Sequence, residues 1–544
     1  MTTQPSSGPY DVVVIGAGHN GLVTAGYLGK AGYRVLVLEG RPVLGGAATT
    51  EEVFPGFRAD TGSFDAGQFL PQVVADLSLR KHGLRFVETP VVAFAPQPDG
   101  RALTLWREPG KSLTEIERFS QADAQRFPQF HSHVQRMVDA LQELMTLTPP
   151  PLHGQRATEL LPWARAALQL RRMGGQELLD FMRVLPMPVA DYLDEWFESP
   201  VYKGLLGSLA VRGAIAGPRS PGTALLFLYT LQGAATRQSR GSRFVRGGMG
   251  RLAEALVEAA RERGVEVRAG WRVARICIDG GRATGVVLES GEQIAARAVV
   301  SNASPRHTFL ELVGPEELQV RFVQEIKNIR YRGCLSRLVL ALDGLPHFRA
   351  ASGREVLTKE GTLLSGHVIL CPSLDYLERA YDDAKYGRVS RQPALEVAIP
   401  TMLDASLAPP GKHLMLVNVQ YTPYHLAQGS WETEKEHLVR QVLGLLEDYA
   451  PGIQDLVLHQ ELLTPLDLER RFGLPEGCIY HGQMALDQLL VMRPVPGYSR
   501  YRTPVPGLYL CGAGTHPGGG VTGAPGHNAA REIVHDLRAR RHPV

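Results

Sequence analysis

Gly16, Gly18 and Gly21 form G-x-G-x-x-G directly after an apolar run, Asp11 to Ile15, and directly before a helical pattern that reaches about Ala31. Glycines at this spacing bind rather than cut. They let backbone amides approach a pyrophosphate, and the helix that follows turns its positive end toward the same charge. A second apolar strand, Arg34 to Leu38, ends in Glu39, placed where a carboxylate takes the hydroxyls of an adenosine ribose. The glycines alone are a weak signal. Strand, turn, helix, strand and carboxylate together predict a dinucleotide site that includes Gly16, Ala17, Gly18, Asn20, Gly21, Glu39 and Gly40.

The next residues choose the dinucleotide. Arg41-Pro42-Val43-Leu44-Gly45-Gly46-Ala47 is similar to the second signature, R-x-x-x-G-G, of glutathione-reductase-type FAD proteins. In that reading Arg41, Gly45, Gly46 and Ala47 run beside the pyrophosphate, where a Cβ at either glycine would collide. Far downstream, Gly507 to Gly523 reads as strand and glycine loop, followed by a helix from Ala524 or Gly526 to Arg538. Such a helix aims its positive end at the N1/C2 edge of a flavin. Gly512, Gly514, Gly520 and Val521 are therefore expected at the cofactor, with backbone amides serving where many flavoproteins carry an Asp and this chain has Ala513. His516 lies in the same loop. It is the one catalytic candidate, either moving a proton beside the flavin or simply ordering the loop before Pro517.

Three segments carry a family likeness. GAGHNG with GGAATTEEVFPGF, FVRGGMGRLAEAL, and LYLCGAGTHPGGGVTGAPGHNAA resemble the phytoene-desaturase-related flavoproteins, above all the group called pyridine nucleotide-disulfide oxidoreductase domain-containing protein 2. The likeness spans the chain, but its specific motifs lie mostly in the FAD-binding parts. It implies an α/β fold with a Rossmann-like FAD-binding domain of glutathione-reductase type, interleaved with an α+β substrate or cap domain. It also implies that Val273 sits over adenine and Ala303 beside the cofactor. The activity implied is desaturation of a hydrophobic polyene or isoprenoid in an apolar tunnel, with hydride passing to flavin N5 and then electrons to oxygen or a quinone. Three other readings stay open: a redox-neutral polyene cis–trans isomerase, a flavin amine oxidase, and a flavin-bearing interaction protein with little turnover. The "disulfide" of the group name has no dithiol here to run on.

The elements that position these residues alternate along the chain. Residues 1–95, 241–305 and 485–544 read as the FAD-binding domain, and 96–240 and 306–484 as the substrate domain. Within the first, a helix from Arg251 to Arg263 places Leu252, Leu256 and Ala259 on one face. Strands follow at Val265 to Val267, Arg272 to Ile276, Gly285 to Leu288 and Ala298 to Ser301. Within the second, strands are expected near Leu338 to Leu342, Leu395 to Ile399 and Leu414 to Val419. Tyr498 and Tyr501 are candidates for a cavity wall or for plain core, while His527 and Asn528 pack or cap the last helix.

Composition bounds the rest. A chain of 544 residues, 44% hydrophobic, can bury a large core, and a formal net charge of +3 is too small an excess for a nucleic-acid partner. Cys277, Cys334, Cys371, Cys478 and Cys511 form no C-x-x-C, and no His, Cys, Asp or Glu grouping has metal-ligand spacing, so no metal is expected. Cys511, next to the glycine loop, is read as a core thiol rather than a flavin tether. The first nine residues lack a secretory h-region. The uncharged run Ser220 to Thr236 falls short of the roughly twenty apolar residues of a span. A cytoplasmic protein without a transmembrane helix is expected. Two segments raise a peripheral membrane contact: the apolar and basic Leu160 to Arg172, and the series Arg237, Arg240, Arg243, Arg246. The bland alternatives are a packed cap helix and a solvated face. The oligomeric state is not written in the sequence.

Overall fold

The computed structural model describes residues 9–150, 161, 163, 164, 168, 174–232, 243–351, 357–358 and 361–541. Most of the Leu160–Arg172 segment, together with Arg237 and Arg240, lies outside them.

Apolar strands buried on both faces assemble into a parallel core. Tyr10–Ile15 pairs in parallel with Val35–Glu39 on one side and with Gln293–Ser301 on the other. Glu266–Ala269 extends this sheet beyond Val35–Glu39, and Leu508–Leu510 pairs in parallel with the end of Gln293–Ser301. The strand Gln293–Ser301 also joins the antiparallel pair Val273–Asp279 and Arg282–Leu288. Helices His19–Lys30, Gly250–Glu262 and Ala524–Arg541 cover one face through Leu22, Leu252, Leu256 and Ile533.

A second, mostly antiparallel sheet has the strand order Val457–Leu463, Leu335–Leu342, His413–Gln420, Leu395–Ala398, His367–Leu370, Val91–Pro96, Ala102–Trp106. Helix Trp431–Tyr449 packs against it through Leu438, Val442 and Leu446. A separate apolar cluster joins the helices Gln121–Thr146, Pro200–Ala210 and Thr223–Thr230.

The chain passes between the two sheets more than once, so the two units interleave. Val91–Pro96 belongs to the second sheet, because it pairs in parallel with His367–Leu370. Residues beyond 305 stay with the first unit: Phe309, Leu312, Phe322 and Ile326 bury their side chains against Val13, Leu36 and Leu38. Among the described residues no helix is long and apolar enough to cross a membrane.

Candidate functional site

A cavity of ≈ 560 Å³ lies between the carboxyl ends of the parallel strands and one face of the second sheet. Ile15, Leu38, Glu39, Asn302 and Ala303 line it at those strand ends, the usual crevice for a ligand in such a sheet. The helix His19–Lys30 points its first turn at the cavity with Gly18 as N-cap, and no side chain caps its amides. Those amides are left for an anion. The fingerprint glycines have separate reasons. Gly16 has φ +91°, a Cβ at Gly18 would stand 2.6 Å from Asn302 Nδ2, and a Cβ at Gly21 would strike the Gly16 carbonyl.

Of the residues singled out in the sequence, Gly16, Gly18, Asn20, Glu39, Gly40, Arg41, Gly46, Ala47, Val273, Ala303, Gly520 and Val521 line the cavity. The others stand behind the wall. Ala17 is fully buried and donates its amide to Glu39 Oε2 at 2.8 Å. A Cβ at Gly512 would stand 2.6 Å from the Asn302 carbonyl, and one at Gly514 would strike Pro305. Gly45 departs from the reason given for it. At φ +111° its Cβ would lie 2.6 Å from both Ala253 Cβ and the Ala48 carbonyl, so the glycine lets the loop pack on the helix Gly250–Glu262.

His516 is not at the cavity. It is fully buried, its carbonyl accepts the Tyr501 hydroxyl at 2.9 Å, and its ring lies near the backbone of Leu144, Met145 and Leu147. Neither ring nitrogen has a well-formed hydrogen bond there. Burial pushes the imidazole down to about 4, so it is neutral. It packs a joint between the end of helix Gln121–Thr146 and the glycine loop. Asn528 ties the same joint by donating to the Met145 carbonyl at 3.1 Å. Tyr501 is core, and Tyr498 packs edge-on against Phe322 at 5.0 Å. Cys511 is a fully buried thiol, pushed up to about 12 by that burial.

Several cavity residues escaped the sequence reading. His19, inside the fingerprint itself, and His481 both line the cavity and are pushed down to about 4 by burial. His19 Nε2, Asn20 Oδ1 and His481 Nδ1 are buried without a protein partner. On the opposite wall, register puts Arg337 beside Asn418 and Asn418 beside Glu396, a polar row across three strands. Arg212 pairs with Glu396, and Phe64, Asp65, Leu335 and Tyr480 complete that end. The available signal was a polar residue inside each apolar strand: Arg337 in LSRLVLAL, Glu396 in LEVA and Asn418 in HLMLVNVQ.

The mouth is latched. Glu51 accepts from Arg41 Nη2 at 2.8 Å and from Arg471 Nη2 at 2.7 Å, which holds the helix Pro465–Phe472 across the first unit.

The residues present fit a flavin dinucleotide. Uncapped helix amides, a glycine cradle that a Cβ would fill, and three unpartnered buried polar atoms all face one cavity. The flavin containing amine oxidoreductase family matches residues 21–534. The chain is 40% identical over 545 residues to rat pyridine nucleotide-disulfide oxidoreductase domain-containing protein 2, covering 97% of this chain and 94% of that one. It is 30% identical to one of the subunits of limonene dehydrogenase from Castellaniella defragrans (97% and 95% covered). It is 27% identical to a lycopene-forming phytoene desaturase of Pantoea ananas (94% and 96% covered). Among solved structures, an oxidoreductase of Methanosarcina mazei superposes with a TM-score of 0.60 at 17% identity, covering 96% of this chain and 99% of that one. Cyclohexylamine oxidase of Brevibacterium oxydans gives 0.56 at 17%, covering 98% and 100%. The chain belongs to the flavin containing amine oxidoreductase family and is an FAD-dependent oxidoreductase.

Proposed function

We propose that this protein is an FAD-dependent dehydrogenase of the desaturase type. The observation that carries the reading is the course of the cavity, which continues from the glycine cradle at Gly16, Gly18 and Gly46 to the wall made by Arg212, Arg337, Asn418 and Glu396. A substrate at that wall would share one continuous cavity with the cofactor. Bound FAD would supply a two-electron oxidation, taking the hydride of a substrate C–H bond while the neighbouring carbon gives its proton to solvent and a double bond forms between them. Oxygen or a quinone is the proposed acceptor for the electron pair. The names of the limonene dehydrogenase and phytoene desaturase relatives support C–H dehydrogenation of an isoprenoid.

The chain's own residues enclose and orient. Gly62, Ser63 and Phe64 line the cavity between the cradle and the cap-side wall. Leu335, Ile479 and Tyr480 give that end an apolar share, which excludes water from a developing charge. Leu161, Leu168, Leu179 and Met182 are more than half exposed, at 52%, 57%, 68% and 60%. They support a peripheral contact with lipid, from which such a substrate would be collected.

Amine oxidation is the second reading, favoured by the family description and by the cyclohexylamine oxidase fold. A protonated amine would meet Arg212 and Arg337, so dehydrogenation of carbon is preferred. The test is anaerobic. FAD-loaded protein is mixed with liposomes carrying polyenes or monoterpenes, or with amines, and the flavin absorbance is followed. Bleaching with a matching gain of conjugation supports the proposal. Bleaching by amines alone overturns it. A dithionite-reducible flavin that no substrate bleaches, with a polyene isomerised, would point to the redox-neutral reaction instead.

A further inference from the structure

The cap-side end of the cavity is not the apolar tunnel that a bare hydrocarbon asks for. Its two carboxylates are already engaged inside the protein. Glu396 accepts from Arg212 and from Asn418 Nδ2 at 2.9 Å, and lies 2.9 Å from His367 Nδ1. Asp65 accepts the Gly67 amide at 2.7 Å and the Arg243 amide at 3.1 Å, and lies 3.6 Å from His367 Nε2.

The two guanidiniums are less completely engaged. Arg337 is only 4% exposed; it gives Nε and Nη2 to a single oxygen, Asn418 Oδ1, at 3.1 and 2.7 Å, and Nη1 to the Asp60 carbonyl at 2.9 Å. Arg212 gives Nη2 to Glu396. A guanidinium carries five N–H donors, so both side chains keep donors while lining the cavity. Burial, and after it the like charge of Arg212, pulls Arg337 down to about 10 against the opposing pull of Glu396 and Asp60. The Arg337 guanidinium carbon stands over the Phe64 ring, 4.6 Å from its centroid. Guanidinium donors left over at a cavity wall call for a ligand that accepts hydrogen bonds.

We propose that Arg212 and Arg337 seat an oxyanion of the substrate, a carboxylate or a phosphate monoester, so that the molecule oxidised is an acid with an apolar body. This rests on the dehydrogenase reading above and names its substrate class. Planar donors that meet an oxyanion side-on also fix its orientation, which sets the C–H bond that faces the flavin.

The test uses FAD-loaded protein and four probes with one chain length: octanoate, octyl phosphate, octanamide and octylamine, each titrated against the flavin difference spectrum. Saturable perturbation by octanoate or octyl phosphate, at least about tenfold tighter than by octanamide, is expected, and the tighter of the two identifies the oxyanion. Arg212→Gln is expected to weaken that binding by at least about tenfold, with Arg212→Lys in between. Equal binding of octanamide, tighter binding of octylamine, no binding of any probe, or an unaffected Arg212→Gln variant would each overturn the proposal. Flavin content and dithionite reduction are read in every sample. A protein that keeps reducible flavin but ignores anions loses only this inference, whereas one that holds no flavin loses the dehydrogenase reading itself.

Discussion

The carboxylate of Glu39 lies 2.8 Å from the amide nitrogen of Ala17, so the end of the second strand is tied to the glycine turn after the first. Its other oxygen accepts the amide of Arg41 at 2.9 Å. The residue expected to hold a ribose therefore also builds the turn that holds the pyrophosphate. Glu39→Ala should lower flavin content and also destabilise the apoprotein by about 1–3 kcal/mol. Thermal melts of flavin-free protein separate the two effects. An apoprotein Tm unchanged by the substitution would mean that the Ala17 contact contributes nothing to the fold.

Gly45 and Gly46 make the same point for neighbouring positions. A Cβ at Gly45 meets Ala253 and the Ala48 carbonyl at 2.6 Å, while one at Gly46 stands 3.0 Å from Gly18 Cα and lines the cavity. Gly45→Ala should therefore lower the apoprotein Tm more than Gly46→Ala, and Gly46→Ala should cost more FAD affinity for its loss of stability. Flavin titration and apoprotein melting of both variants check the order. The reverse ranking would return Gly45 to the pyrophosphate.

His516 should act on stability, not on turnover. Its pKa falls from the ordinary 6.5 to about 4 in the fold, so its contribution is fully present above 6.5 and is lost as pH falls toward 4. His516→Asn should lower Tm near neutral pH and narrow the wild-type advantage under acid. The pH profile of flavin reduction should keep its shape. A missing ionisation in that profile, with Tm unchanged, would restore a catalytic role.

His367 gives the opposite slope. Burial disfavours its charged form, but hydrogen bonds and charge from Asp65 and Glu396 prevail and lift it from 6.5 to about 9. Its contribution is fully present below 6.5 and is lost as pH rises through about 9. Asp65 and Glu396, buried yet held down to about 2 by His367 and Arg212, contribute above their ordinary 3.8 and 4.5 and lose that contribution as pH falls toward 2. His367→Gln should thus cost most near pH 6, and the Tm gap to wild type should shrink between pH 8 and pH 10. A gap that stays constant across that range would rule out a charged imidazole.

The sequence by itself determined the cofactor half. Gly16, Gly18, Gly21, Glu39 and the loop from Gly507 to Gly523 are local patterns whose spacing reports one strand, one turn and one helix at a time. The elements followed: Arg34 to Leu38 is realised as Val35–Glu39, and Arg251 to Arg263 as Gly250–Glu262. Tertiary structure alone decided the other half. Arg337, Asn418 and Glu396 come together because three antiparallel strands align in one register, and Arg212 reaches them from beyond the helix Pro200–Ala210. Register is set by the packing of whole faces, and no short window carries it. The same limit explains His516 and Gly45. Both were placed by loop membership, whereas their surroundings, helix ends at Thr146 and a helix face at Ala253, arrive from segments hundreds of residues away.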